Sequence, residues 1–166
     1  MSRSKIVSCD ILKKEIKNWQ KQGLKIVFTN GCFDILHIGH VRYLEAAKKY
    51  GDKLIVAINS DHSVREIKGN KRPVMSEKER TEIIAALESV DRVVIFNDPT
   101  PLALIKFLKP DVLVKGADWP EEKIVGREYI LQKGGEVKTI PLTEGVSTSN
   151  IIERILKKFN KNRKIQ

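Results

Sequence analysis

The chain has 166 residues, 41% of them hydrophobic, which is enough for one globular domain with a real core, and no stretch approaches the unbroken apolar length a membrane span needs. Its 31 basic and 21 acidic residues leave a net charge of +10, which points to nucleic acid or to a polyphosphate substrate beside a lysine-rich solvated surface. With 6% aromatics and basic residues spread over every segment, no interleaved stacking platform is present, so a nucleic-acid partner is not expected.

Met1 to Val7 is short and polar, unlike a signal peptide. Ile11, Leu12, Ile16 and Trp19 among lysines predict an amphipathic helix, capped by Ser8 or Asp10 and stopped by Gly23. Leu24 to Phe28 reads as a buried strand and Val41 to Tyr50 as a helix. Lys53 to Asn59 is a second strand, and Ser60-Asp61 caps a short helix through Ile67. A basic loop, Lys68 to Pro73, follows. Ser76 with Glu79 forms a capping box that opens a helix to about Leu87. Arg92 to Phe96 is a third strand, Asn97 to Pro101 a turn, and Leu102 to Leu108 a helix. Asp111 to Lys115 is a fourth strand, followed by the loop Gly116 to Pro120 and a helix from Glu121 to Lys133. Glu136 to Ile140 is the fifth strand, and Ser147 or Thr148 caps a last helix through Phe159, ahead of a frayed basic tail, Asn160 to Gln166. Such alternation predicts an α/β fold: a Rossmann-like, doubly wound parallel sheet of about five strands with helices on both faces.

Cys9 and Cys32 lie far apart, so no structural disulfide is implied and a reducing, cytoplasmic location is expected. The most informative run is Thr29-Asn30-Gly31-Cys32-Phe33-Asp34-Ile35-Leu36-His37-Ile38-Gly39-His40, set where the first strand turns into the first long helix. There glycine admits a phosphate to the backbone, and a helix start offers free N–H groups. His37 and His40, three apart, share a face if the turn is helical. Cys32, His37 and His40 match no common zinc spacing, and no protein metal site is expected. Lys115 leaves the fourth strand toward the same crevice, and Gly145 with Ser147, Thr148 and Ser149 makes a second glycine turn with a row of hydroxyls.

The run from Asn30 to His40 resembles the H-x-G-H signature of the nucleotidyltransferase superfamily, whose histidines donate hydrogen bonds to nucleotide phosphates. Further segments narrow the resemblance: Asn59-Ser60-Asp61, Lys68-Gly69 with Arg72-Pro73, Val114 to Trp119, Ile124-Val125-Gly126 with Glu128, Gly134 to Val137, and Glu144 to Ile152. Together they are similar to the adenylyltransferase domains that make ADP-heptose from heptose 1-phosphate, found alone or fused to a sugar kinase. The resemblance runs from about Lys25 to Ile155, and with the length of the chain it predicts a single nucleotidyltransferase domain over 1–166, the sugar being phosphorylated by another chain.

It also implies ATP with Mg²⁺, a sugar 1-phosphate substrate, no membrane partner and a homodimer. His37, His40 and Lys115 would be catalytic. Asn30, Gly31, Cys32, Phe33, Gly39, Gly145, Ser147, Thr148 and Ser149 would hold the nucleotide, and Asp34, Asp61, Lys68, Arg72, Asp118 and Trp119 the sugar phosphate, Asp34 and Asp61 orienting either its hydroxyls or a metal. Glycerol-3-phosphate cytidylyltransferases share the histidine motif and the Thr-Glu-Gly-x-Ser-Thr segment but carry an arginine where this chain has Leu142. A phosphate- or RNA-binding module without activity is the non-enzymatic alternative.

Overall fold

The computed structural model describes residues 2–160, so the tail expected beyond Asn160 lies outside the described residues. Short runs of β-branched residues form five strands that pair, all parallel, in the order β3-β2-β1-β4-β5. They are β1 (Ile26–Gly31), β2 (Lys53–Asn59), β3 (Arg92–Phe96), β4 (Val112–Gly116) and β5 (Glu136–Ile140). The winding reverses between β1 and β4, which leaves a crevice beyond their carboxyl ends.

Period-two alternation sends Phe28 and Leu113 to one face and Val27, Val112 and Val114 to the other. The first face is covered by α1 (Cys9–Lys21), α5 (Leu102–Leu108) and α6 (Arg127–Gln132), which contribute Leu12, Ile16, Ile105, Leu108 and Ile130. The second is covered by α2 (Ile38–Lys48) and α4 (Glu77–Ala85) through Leu44, Ala47, Ile84 and Ala85. α3 (Asp61–Lys68) and α7 (Thr148–Asn160) follow the carboxyl ends of β2 and β5.

The capping box at Ser76 forms as expected, and Ser8, rather than Asp10, caps α1. Several boundaries move. β1 starts later than Leu24 and runs into the motif, because its ladder with β2 continues to Gly31 opposite Ile58. α2 starts at Ile38, three residues before the expected Val41. The helix expected over Glu121 to Lys133 is broken into a 3₁₀ turn, Glu121–Lys123, and α6. Ile124 dives into the core, and Gly126 turns the chain at φ +92°, 2.7 Å from Ile105 Cδ1 by the position its Cβ would take. Ile11, expected on the apolar face of α1, is exposed, since Leu12 and Ile16 set the buried face. Ahead of α1, Ile6 bridges Val93 in parallel and the Val7 N–H donates to Val93 O, covering part of the β3 edge; nothing in the polar pattern of that segment announced it.

Candidate active site

The turn from β1 into α2 passes through left-handed backbone at two non-glycine residues, Phe33 (φ 48°) and Ile35 (φ 49°). A β-branched residue there is unusual, and each such position costs about 1–3 kcal/mol unless the surroundings enforce it. Asp34, between the two, does the enforcing. Its side chain is fully buried, accepts from the N–H groups of Val74 (2.9 Å) and Met75 (3.0 Å), and pairs with Arg72 Nε at 2.6 Å. Its carbonyl accepts from Thr148 Oγ1 at 2.6 Å. Burial pushes the Asp34 carboxyl up, but the Met75 and Val74 N–H groups and Arg72 outweigh it and hold it below the usual range.

Arg80, also buried, secures the other side of the turn. It donates to Met75 O (3.0 Å), Cys32 O (2.5 Å), Asn59 O (2.9 Å) and Asp61 Oδ1 (2.8 Å). Both aspartates therefore depart from the role expected of them. Asp34 is buried with both oxygens bonded, to Arg72 and to the Val74 and Met75 N–H groups, and Asp61 pairs with Arg80 and does not line the cleft.

His37 is the N-cap residue of α2, without a side-chain cap bond, and His40 sits in the first turn. Their rings stack, with centroids 3.7 Å apart at 20°, and the Phe33 ring meets His40 edge-on at 5.3 Å. Gly39 makes the stack possible: a Cβ there would lie 3.0 Å from the His37 ring. Gly31 does the same for Phe33, whose ring would be 3.0 Å from an added Cβ. Nδ1 of both histidines is buried without a hydrogen-bond partner, so Nε2 is the nitrogen each ring can present. Burial depresses both pKa values, and for His40 burial and the neighbouring His37 bring it to about 4. At neutral pH the pair is uncharged, and each ring offers one N–H.

Lys115, at the end of β4, donates to Asn30 O at 3.1 Å. Burial presses its pKa to about 8, opposed by Cys32 and Asp118. At the start of α7, Ser147 Oγ accepts from the Asn150 N–H at 3.1 Å, capping the helix. These groups face a cleft of about 570 Å³ over the ends of β1 and β4.

The cleft gathers Asn30, Gly31, Cys32, Phe33, Asp34, His37, Gly39, His40, Lys68, Arg72, Lys115, Asp118, Trp119, Ser147, Thr148 and Ser149. Gly145 shapes the turn at φ +71° without reaching the wall. Residues not expected there include Tyr43, Asn59, Pro99 to Pro101, Ile124, Val125 and Leu142. Position in the topology could have found the proline turn: α5 returns from edge strand β3 to β4, so its first residues pass over the crevice.

A parallel sheet with this switch-point cleft, a histidine pair at the first helix start and a lysine at the fourth strand end define a nucleotidyltransferase. The chain belongs to the cytidylyltransferase-like family, whose model matches residues 28–154. It is 51% identical over 158 residues to the bifunctional protein HldE of Citrifermentans bemidjiense, covering 95% of this chain and 32% of that protein. The bifunctional protein HldE of Pelobacter propionicus is 50% identical over 159 residues, 96% of this chain and 33% of that protein. The chain thus spans about a third of the length of these curated relatives. Among solved structures, the lipopolysaccharide core biosynthesis protein from Thermoplasma volcanium superposes with a TM-score of 0.60 at 31% identity, over 73% of this chain and 98% of that one.

Proposed function

We propose that the chain transfers the adenylyl group of ATP to a heptose 1-phosphate, giving ADP-heptose and pyrophosphate. The observation that carries this reading is the convergence, in one cleft, of two stacked neutral imidazoles, a buried lysine and a hydroxyl-bearing helix start. The identity of about half to proteins named HldE, and the segments that resemble ADP-heptose-forming domains, support the choice of sugar and base. Those relatives are described as bifunctional and are about three times as long, so the activity assigned to this third of them belongs to the proposal.

A phosphate oxygen of the sugar 1-phosphate, already ionised near neutral pH, attacks the α-phosphorus of ATP in line. As that P–O bond forms, the bond from the α-phosphorus to the bridging oxygen breaks, and pyrophosphate leaves with the electron pair. No general base is required. His37 and His40 donate through Nε2 to the nucleotide phosphates, and Lys115 with Ser147, Ser149 and the α7 N–H groups takes the pyrophosphate side. The backbone from Asn30 to Phe33 would line the nucleotide, and Lys68, Arg72 and Trp119, which line the same cleft, would take the sugar phosphate.

Among the described residues no three His, Cys, Asp or Glu side chains gather into a metal-holding group, and the Asp34 carboxylate is occupied by Arg72. That donor set fits a cation carried by the ATP phosphates, with Asp118 as the carboxylate on the cleft wall. When bound, Mg²⁺ neutralises charge developing on the phosphate oxygens.

The rival reading, CTP with glycerol 3-phosphate, draws on the family's description. Against it stands Leu142, which packs over Gly116 where that subfamily has an arginine, and offers no cation. Pyrophosphate release over a panel of nucleoside triphosphates and sugar phosphates tests both. ATP with heptose 1-phosphate should exceed CTP with glycerol 3-phosphate by at least about a hundredfold in kcat/KM, or about 2.7 kcal/mol. Equal turnover of the second pair contradicts the assigned sugar and base; no pyrophosphate from any pair contradicts nucleotidyl transfer itself.

We also read the protein as cytoplasmic and dimeric. The free cysteines, Cys9 and Cys32, suit a reducing compartment, and no described helix is long and apolar enough to cross a membrane. The resemblance and the exposed apolar side chains Ile155, Leu156 and Phe159 of α7 support a dimer, whose mass sedimentation at micromolar concentration would read.

A further inference from the structure

β1 and β4 are neighbours at the centre of the sheet, yet their register is short. It pairs Val27 with Val112 and Phe28 with Leu113, whereas β1 pairs with β2 as far as Gly31 and β4 pairs with β5 as far as Gly116. Past Phe28 and Leu113 the two strands part, and the backbone groups that face the gap lose their ladder partners. Side chains replace them. Tyr43 Oη donates to Val114 O at 3.2 Å and shares a hydrogen bond with Thr29 Oγ1 at 2.8 Å. One residue further out, Lys115 Nζ donates to Asn30 O at 3.1 Å. Tyr43 comes from α2, three residues after His40, so one phenol ties the helix that carries the histidines to both diverging strands. Burial pushes its pKa far above the ordinary value, which keeps the hydroxyl protonated as a donor.

We propose that Tyr43 is a positioning residue for the transfer: its hydroxyl, wedged between Thr29 and Val114, sets the opening between β1 and β4 and so places Lys115 relative to the His37 and His40 pair. The inference rests on the reading of the cleft as the site of nucleotidyl transfer. Lys115 directly follows Val114, so slack in the Val114 carbonyl moves the lysine's own backbone. Asp118 and Cys32 are the groups that face the ammonium there, and water admitted between the strands would join them.

The test uses Tyr43→Phe, which keeps the ring and removes only the hydroxyl. With the active substrate pair, kcat should fall on the order of tenfold, the scale of a modest misplacement of reacting groups, with KM for ATP unchanged within about twofold. In the Lys115→Ala background the same substitution should cost almost nothing, because the lysine it positions is gone. Should Tyr43→Phe not fold, Thr29→Val removes the other end of the shared hydrogen bond and should lower kcat in the same sense by a smaller factor. Wild-type kcat in the folded variant, or a loss undiminished in the Lys115→Ala background, overturns the proposal.

A readout without turnover separates this claim from the assigned reaction. In Tyr43→Phe the titration of Lys115, followed by NMR at its ε-carbon, should rise by about half a unit or more toward the value of a solvated lysine. An unchanged titration refutes the positioning role, whereas a shifted titration in a protein that releases no pyrophosphate supports positioning and refutes only the reaction.

Discussion

The two ends of the sheet are built to opposite standards. At the amino ends of the strands, carboxylates cap the backbone: Asp52 accepts from the Lys25 N–H (2.7 Å), Asp91 from Leu54 (2.7 Å) and Asp111 from Ile26 (2.8 Å). Lys48 and Lys53 neutralise Asp91, and Gln20 adds a bond to Asp111. Backbones approach so closely there that a Cβ on Gly51 or Gly135 would lie 2.7 Å from a carbonyl oxygen.

At the carboxyl ends the turn is strained at Phe33 and Ile35, and Asn30 Oδ1, His37 Nδ1 and His40 Nδ1 are buried unpaired. Satisfied polar groups stabilise one end. At the other, arginine and aspartate clamps hold a geometry the backbone would not choose, which is how strain is retained at sites that must be preorganised.

Substitutions at the two ends should therefore fail differently. His37→Ala and His40→Ala should each lower kcat by roughly two to three powers of ten, the scale for losing one preorganised donor, with the melting temperature nearly unchanged. Asp111→Ala at the opposite end should do the reverse. Orphaning the Ile26 N–H should cost about 1–3 kcal/mol of stability in denaturant unfolding, with kcat of the folded fraction within about twofold of wild type. A histidine variant that keeps its activity, or an Asp111 variant that loses activity while fully folded, would break the contrast.

A smaller effect sharpens it. Lys115 is charged below its pKa of about 8 and neutral above it, so kcat/KM for ATP should decline as pH rises through about 8. Lys115→Arg, charged at every accessible pH, should remove that limb. Lys115→Ala should also impair kcat/KM more than Lys68→Ala, because Lys68 is the exposed last residue of α3, whereas Lys115 stands at the end of β4. A profile flat to pH 9 in the wild type would take Lys115 out of the free enzyme's binding step.

The strand and helix alternation, the capping box at Ser76 and the position of His37 and His40 at a helix start were legible in sequence, because each depends on neighbours within a few residues. Asp34 and Asp61 were not. Their roles depend on Arg72 and Arg80, which reach back from beyond β2, and a lone carboxylate looks the same in sequence whether it faces a substrate or an arginine. Tyr43 was missed for a related reason. It reads as one more residue of an amphipathic helix until the parting of β1 and β4 gives its hydroxyl two partners. The break at Gly126 was visible as a glycine but not as a helix start, since Ile105 in α5 is what demands it.

The central claim is that nucleotide binds where the sheet is strained and unsatisfied, not where it is capped. Titrating ATP with Mg²⁺ into isotopically labelled protein and following backbone amide shifts tests it without assuming the second substrate. The largest changes are expected at Gly31, Cys32, Gly39, His40, Ser147 and Ser149, with Asp52, Asp91 and Asp111 still. Shifts centred on the amino ends of the strands, or none at millimolar ATP, would contradict it.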